Sequence, residues 1–188
     1  GLVADDWLSK ISEHLDDVPQ SAYIEVLNEP DCENEQQARW LDDFYLTCMK
    51  LLETAGRKCA IWSFGTGRPP LPNHDQNGSA IWDALTPAMR YAKANGHIAV
   101  MHAYQYDPHD IWQMLRYRKV YDYLPVDARP QLFIGEWGLD GQFGPFNDPR
   151  WRSGYTDPEA EYMRVIREYD AEVMRDPYVI GFSIFTLG

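Results

Sequence analysis

The sequence predicts an α/β fold, a parallel sheet of short apolar strands covered by crossover helices. Apolar runs of strand length alternate along the chain with longer stretches of helical periodicity. The strands on either side of residues 131–138 are rich in Val, Ile or Phe, as strands buried on both faces are. Two of the runs also close on an acid. Tyr23-Ile24-Glu25-Val26-Leu27-Asn28-Glu29 stops at Pro30, and Gln131-Leu132-Phe133-Ile134-Gly135-Glu136 stops at Trp137-Gly138.

The first helix is expected over Asp6–Asp17, where Trp7, Leu8, Ile11 and Leu15 recur at helical spacing and Pro19 ends the segment. The strand to Glu29 follows. Glu33–Ala55 is the second helix, with Trp40, Leu41, Phe44, Tyr45, Cys48, Leu51 and Leu52 on its apolar stripe and Gly56 as its stop. Cys59–Phe64 is the next strand, running into the turn-rich Gly65-Thr66-Gly67-Arg68-Pro69-Pro70. A helix over Ile81–Ala94 stops at Asn95-Gly96, Ile98–Tyr104 is a strand, and Ile111–Leu124 is helical. The Glu136 strand comes next, then a long polar loop from Gly138 to Thr156. Thr156-Asp157-Pro158-Glu159 opens the last helix with a capping box and an early-turn proline. That helix runs to about Met174, and Tyr178–Phe185 is the final strand.

No repeat, low-complexity tract or interior linker divides residues 1–188, so they read as one domain. The alternation by itself leaves an open doubly wound sheet and a closed barrel both open. No Gly-x-Gly-x-x-Gly opens a helix, and Gly65-x-Gly67 leads into Pro-Pro, which lowers the case for an open α/β protein holding a phosphate-bearing ligand.

Composition narrows the partners. A formal charge of −12 and a pI near 4.7 oppose nucleic acid and anionic membrane surfaces. No segment approaches the roughly 18 consecutive apolar residues of a membrane span. Gly1-Leu2-Val3-Ala4-Asp5-Asp6 lacks the basic and apolar regions of a signal peptide; a trimmed chain would lack them too, so the compartment stays open. Cys32, Cys48 and Cys59 form no CxxC and no metal-like spacing with the His residues, so they read as ordinary thiols, with one disulfide as the alternative. No metal or cofactor is expected. The aromatic content of 14% suits sugar faces but equally suits a core.

Residues at the C-terminal ends of the strands are the candidate site, because βα-barrel sites form where strands end. There the sequence places Asn28 and Glu29, then Trp62, Ser63 and the Gly65 loop, then His102 and Tyr104, then Glu136 and Trp137, and finally Phe185 and Thr186. Two acids, an amide, an imidazole, a phenol and large aromatics form the equipment for cleaving a glycosidic bond, which needs one carboxylic acid and one carboxylate. Tyr104 is expected to donate to Glu136, keeping it ionised and aimed.

These residues resemble clan A retaining glycoside hydrolases. Asn28-Glu29-Pro30 looks like their acid/base motif at barrel strand four, and Gly135-Glu136-Trp137-Gly138 resembles their strand-seven nucleophile segment. His102-x-Tyr104 is similar to the His-x-Tyr of strand six in family 5-like members. The order of the elements agrees, from about Trp7 to Phe185. The resemblance implies a (β/α)8 TIM barrel truncated to its strand-four to strand-eight portion. It implies Glu29 as general acid/base and Glu136 as nucleophile, with Asn28, His102, Tyr104, Trp137, Trp62 and Phe185 binding substrate. The substrate would be an oligo- or polysaccharide, the bond β-linked.

Two departures stand against the family pattern. Phe182-Ser183-Ile184-Phe185-Thr186 stands where the family has its strand-eight Trp, so either Phe185 substitutes as the platform or the platform differs. Strands one to three, which supply a substrate-binding Arg and a His, have no counterpart, nor does helix eight. A non-catalytic carbohydrate-binding or structural remnant is therefore the rival reading, and a second chain or missing segment would have to complete the barrel. Among lesser candidates, Glu25 is expected to pair with Lys or Arg at the barrel bottom, and Trp40, Trp82 and Trp112 to be core. Trp151 either caps a subsite or anchors its loop, and His74, Asp75 and Asn77 read as solvated loop.

Overall fold

The computed structural model describes residues 2–73, 76–105, 111–139 and 156–185. His74, Asp75, Trp151 and Thr186 fall outside the described residues. Five strands, β1 (Tyr23–Glu25), β2 (Lys58–Phe64), β3 (Ile98–Gln105), β4 (Gln131–Leu139) and β5 (Val179–Ile184), alternate with helices α1 (Leu2–Ile11), α2 (Glu35–Thr54), α3 (Gln76–Asn95), α4 (Tyr117–Tyr123) and α5 (Pro158–Val173). α1 precedes β1.

All neighbouring strands are parallel and the spatial order is the chain order, β1-β2-β3-β4-β5. A doubly wound sheet reverses its order at a switch point; this one does not. Right-handed crossovers in a monotonic order place every helix on one face. The packing agrees. Cys59, Ile61, Ala99, Met101, Leu132 and Ile134 share the main core with α2, α3 and α5, whereas the alternate residues Ala60, Ile98, Val100 and Phe133 cluster separately. The sheet curls into a half-barrel with that small cluster on its concave side.

Local chemistry explains the helix ends. Asn34 caps α2 by accepting from Gln37 N at 3.0 Å. At the other end Gly56 (φ 68°) takes the left-handed position, with Gly56 N donating to Glu53 O and Arg57 N to Leu52 O, the Schellman arrangement. Gly96 (φ 72°) stops α3 in the same way, with His97 N donating to Ala92 O. Inside α3, Pro87 interrupts the backbone ladder. The buried carboxyl of Asp42 on α2 accepts from Ala88 N, the residue after that proline, at 2.7 Å.

Several expectations need correction. The first predicted helix splits into α1 and a 3-10 turn over Ser12–Asp17. Only Tyr23–Glu25 pairs as strand, so Glu29 lies in the bend beyond β1 rather than closing it. β4 continues to Leu139, which places Glu136 inside the strand. The α5 cap is Asp157, accepting from Ala160 N at 3.0 Å, rather than a Thr156–Glu159 box. Trp82 is buried as expected, but Trp40 and Trp112 are more than half exposed. All three cysteines are free and buried, which removes the disulfide alternative. Among the described residues no helix is long and apolar enough to cross a membrane.

Candidate active site

The site grows from register. A shift between Met101 and His102 brings His102 level with Glu136 and Tyr104 level with Gly138. Bulges of this kind re-aim side chains at barrel rims. Gly135 is required beside them, since a Cβ there would stand 2.7 Å from Val100 Cγ1. Gly138 is required too, because a Cβ would meet the Phe185 carbonyl oxygen at 2.4 Å.

A second irregularity in β2, between Trp62 and Phe64, puts Trp62 (φ 80°) and Ser63 (φ 47°) in the left-handed region. Side chains other than glycine hold that conformation at a cost of about 1–3 kcal/mol each, and such residues cluster at functional sites. Glu29 shares it (φ 45°), and its backbone N donates to Ser63 O at 3.0 Å. The bend after β1 and the bulge in β2 therefore brace each other.

Together these devices assemble a hydrogen-bonded chain. Tyr104 Oη donates to Glu136 Oε2 at 2.6 Å. His102 Nδ1 lies 2.9 Å from Glu29 Oε1 and 3.5 Å from Glu136 Oε2. On the other side of the ring, Nε2 lies 3.1 Å from Ser63 Oγ, which donates to Glu25 Oε1 at 2.8 Å. The His102 side chain is 1% exposed, while Glu136 is 22% and Glu29 48% exposed. The imidazole is thus a buried spacer holding two carboxylates that open onto solvent. One ligand atom each from Glu29, His102 and Glu136 lies within 4.8 Å of the others, a spacing that a divalent cation could also bridge.

A cavity of about 440 Å³ opens over this chain, lined by Glu29, Glu136, Tyr104, Gly65, Thr66 and the Pro30–Glu33 segment with Arg68. Four acids face it against one guanidinium, and Arg68 is already paired with Glu33 at 2.8 Å. Thr66 Oγ1 accepts from Tyr104 N at 2.7 Å and fastens the β2 loop to β3. Phe185 is 47% exposed and sets its ring edge-on to Tyr104, with centroids 6.1 Å apart.

Glu29, Glu136, His102 and Tyr104 thus come together. Other predicted site residues do not. Trp62 is fully buried against Trp82 and Phe64, with its indole N–H unpartnered among the described residues. Trp137 is fully buried among Tyr162, Tyr169 and Phe182, its Nε1 donating to Met114 Sδ at 3.1 Å. Both indoles belong to the helix-covered core and do not line the cavity. Asn28 is exposed and outside the cavity lining. Glu25 meets the Ser63 hydroxyl, and among the described residues no Lys or Arg pairs with it. The Gly65 loop lines the cavity with Thr66 and Arg68, as its place on the rim leads one to expect. The Asp31–Glu33 segment is an addition to the expected site, and its signal in the sequence is proximity, since it directly follows Asn28-Glu29-Pro30.

No protein-family model, no curated protein and no solved structure matches this chain. The functional reading therefore rests on the residues themselves.

Proposed function

We propose that this chain is the strand-four to strand-eight part of a (β/α)8 barrel and acts as a retaining glycoside hydrolase of the clan A, family 5-like type. Its substrate is an oligo- or polysaccharide with β-linked O-glycosidic bonds. Glu29 is the general acid/base and Glu136 the nucleophile, and no metal or cofactor takes part.

The observation that carries this reading is the Glu29–His102–Glu136–Tyr104 chain. Its carboxylate oxygens approach within 4.8 Å, which suits the roughly 5 Å separation of a double displacement rather than the roughly 6.5–9.5 Å that admits a water. Tyr104 donates to Glu136 at 2.6 Å, which fixes the orientation of the carboxylate that is to attack. In the first step Glu136 forms a bond to the anomeric carbon as the leaving oxygen departs with the proton of Glu29. In the second, water attacks that carbon, the bond to Glu136 breaks, and Glu29 takes the water's proton.

Glu136→Gln tests the assignment. Hydrolysis of an aryl β-glycoside should vanish while the thermal transition of the protein stays in place, and the wild-type product should keep the substrate's anomeric configuration. Unchanged turnover in the variant would end this reading.

One observation supports the rival, a remnant that binds sugar without turnover. β1 and β5 each have a strand on one side only among the described residues, and Ile180, Ile184 and Phe185 stand 37–47% exposed. Such open apolar edges invite a covering strand, so a second chain or further segment would complete the barrel. Saccharide binding with no hydrolysis of any glycoside would favour the remnant.

A further inference from the structure

We propose that Glu25 and Ser63 are positioning residues that fix the tautomer of His102, so that the proton needed for leaving-group departure is held between His102 Nδ1 and Glu29. The inference rests on the reading of Glu29 as the acid, and deepens it.

The argument is an inventory of hydrogens. Ser63 has one hydroxyl hydrogen. A carboxylate can only accept, so the 2.8 Å contact to Glu25 Oε1 uses that hydrogen. The 3.1 Å contact between Ser63 Oγ and His102 Nε2 must then be made by a hydrogen on the ring. With Nε2 protonated, Nδ1 faces Glu29 Oε1 at 2.9 Å. A lone pair facing a carboxylate at that distance would be repulsive, so one proton resides in the gap, on Glu29 or on Nδ1. That proton is the one delivered to the departing oxygen.

The backbone is built to hold this arrangement. Ser63 is fully buried in the left-handed conformation of the β2 bulge, and its carbonyl accepts from Glu29 N at 3.0 Å. One residue therefore orients the ring through its hydroxyl and the acid through its carbonyl. Without Glu25, the Ser63 hydrogen is free to turn toward Nε2. The ring hydrogen then moves to Nδ1 and a neutral imidazole donates to an ionised Glu29, leaving the pair one proton short.

Nitrogen NMR of His102 reads the tautomer directly, with Glu25→Ala as the main variant because Glu25 is exposed on an edge strand. The wild type should show a protonated Nε2, and Glu25→Ala an unprotonated one. Kinetics supply a second readout. Glu25→Ala and Ser63→Ala should lose about 10- to 100-fold on glycosides with alkyl or sugar leaving groups, which need acid assistance. Dinitrophenyl glycosides, whose leaving group needs none, should be nearly unaffected. The double variant should lose no more than Ser63→Ala alone, because both changes break one chain.

An Nε2 that stays protonated in Glu25→Ala overturns the proposal. Equal losses on both classes of leaving group also overturn it, since they mark a merely structural role. If no glycoside is hydrolysed even by the wild type, the hydrolase reading fails, and the NMR result still decides the relay.

Discussion

Adding one methyl group at Gly65 should disable Glu29, the proposed acid, without unfolding the protein. A Cβ at this position would stand 2.8 Å from Glu29 Oε1 and 3.0 Å from its Cδ. Gly65 is not in the left-handed region, so alanine suits its backbone and the whole conflict falls on the Glu29 carboxylate. That carboxylate ends a flexible side chain that is 48% exposed, so it can swing away. Doing so sacrifices its contact with His102 Nδ1 at 2.9 Å. A hydrogen bond involving a charged group contributes about 1.5–3 kcal/mol. If that energy holds Glu29 in its working position, its loss lowers kcat roughly 10- to 150-fold at 1.36 kcal/mol per tenfold. The assay is turnover of an aryl β-glycoside with a poor leaving group, beside a thermal melt. Gly65→Ala should melt within a few degrees of wild type. Wild-type turnover in this variant would refute the placement of Glu29 as the acid, and so would a collapse of the fold.

Further predictions follow from buried charges elsewhere. Asp42→Ala should cost about 1–3 kcal/mol by removing the buried acceptor of Ala88 N–H in α3, whereas Asp42→Asn keeps an acceptor and should melt near wild type only at about pH 4. Burial pushes the Asp42 carboxyl up to about 6, against the pull of the Ala88 N–H; its stabilising neutral form is complete below about 3.8 and lost as pH rises to about 6, so Asp42→Asn should gain relative to wild type above that range in urea titrations. His97 runs the other way. Burial lowers its pKa, although Glu53 beside it pulls upward, and its Nδ1 accepts from Cys59 N at 2.9 Å, which requires a neutral ring. Stability should therefore be full above the ordinary His value near 6.5 and fall as pH drops below it, a decline that His97→Gln should flatten in melts from pH 8 to 5. Treatment with EDTA should leave glycoside hydrolysis unchanged; loss restored by a divalent metal would move Glu29, His102 and Glu136 from acid and nucleophile to ligands.

Much of this architecture was legible because it is written in local patterns. Glycine stops such as Gly56 and Gly96 and apolar stripes such as that of α2 announce helices whatever lies around them. Glu29, His102, Tyr104 and Glu136 could be picked out because each lies in or just after a recognisable apolar run, although Glu29 falls beyond β1 and Glu136 inside β4. The facing of individual side chains was not. Trp62 and Trp137 sit at rim positions in the sequence, yet the bulge between Trp62 and Phe64 and the extra residue Gly135 in β4 turn both indoles into the helix-covered core and turn Ser63 and Glu136 toward the site, while His102 keeps the plain alternation of β3. A bulge changes the count of two along a strand by one, so every inference from alternation past it inverts. Glu25 was misplaced for the same reason: its partner is the rotated Ser63, a residue no alternation pattern would bring to it. Asp42 escaped notice because its partner, the Ala88 N–H, lies on a different helix.

The distribution of strain and support across the sheet suits the division of work proposed for the two carboxylates. Glu136 stands on β4, paired on both sides by β3 and β5, and receives the Tyr104 hydroxyl. Glu29 stands beyond β1, an edge strand whose register with β2 is only Tyr23↔Lys58, Ile24↔Cys59 and Glu25↔Ala60. Its left-handed backbone is held by a hydrogen bond to another left-handed residue, Ser63. A nucleophile must meet one carbon along one line, and a rigid central strand suits that demand. An acid/base must instead reach a leaving oxygen in one step and a water in the next, and a half-exposed carboxylate on a lightly held bend has room to do so. The cost is that Glu29 depends on its neighbours for orientation. The contacts that hold it, from His102, from the Ser63 carbonyl and against the bare face of Gly65, converge on the proposed acid as that dependence requires.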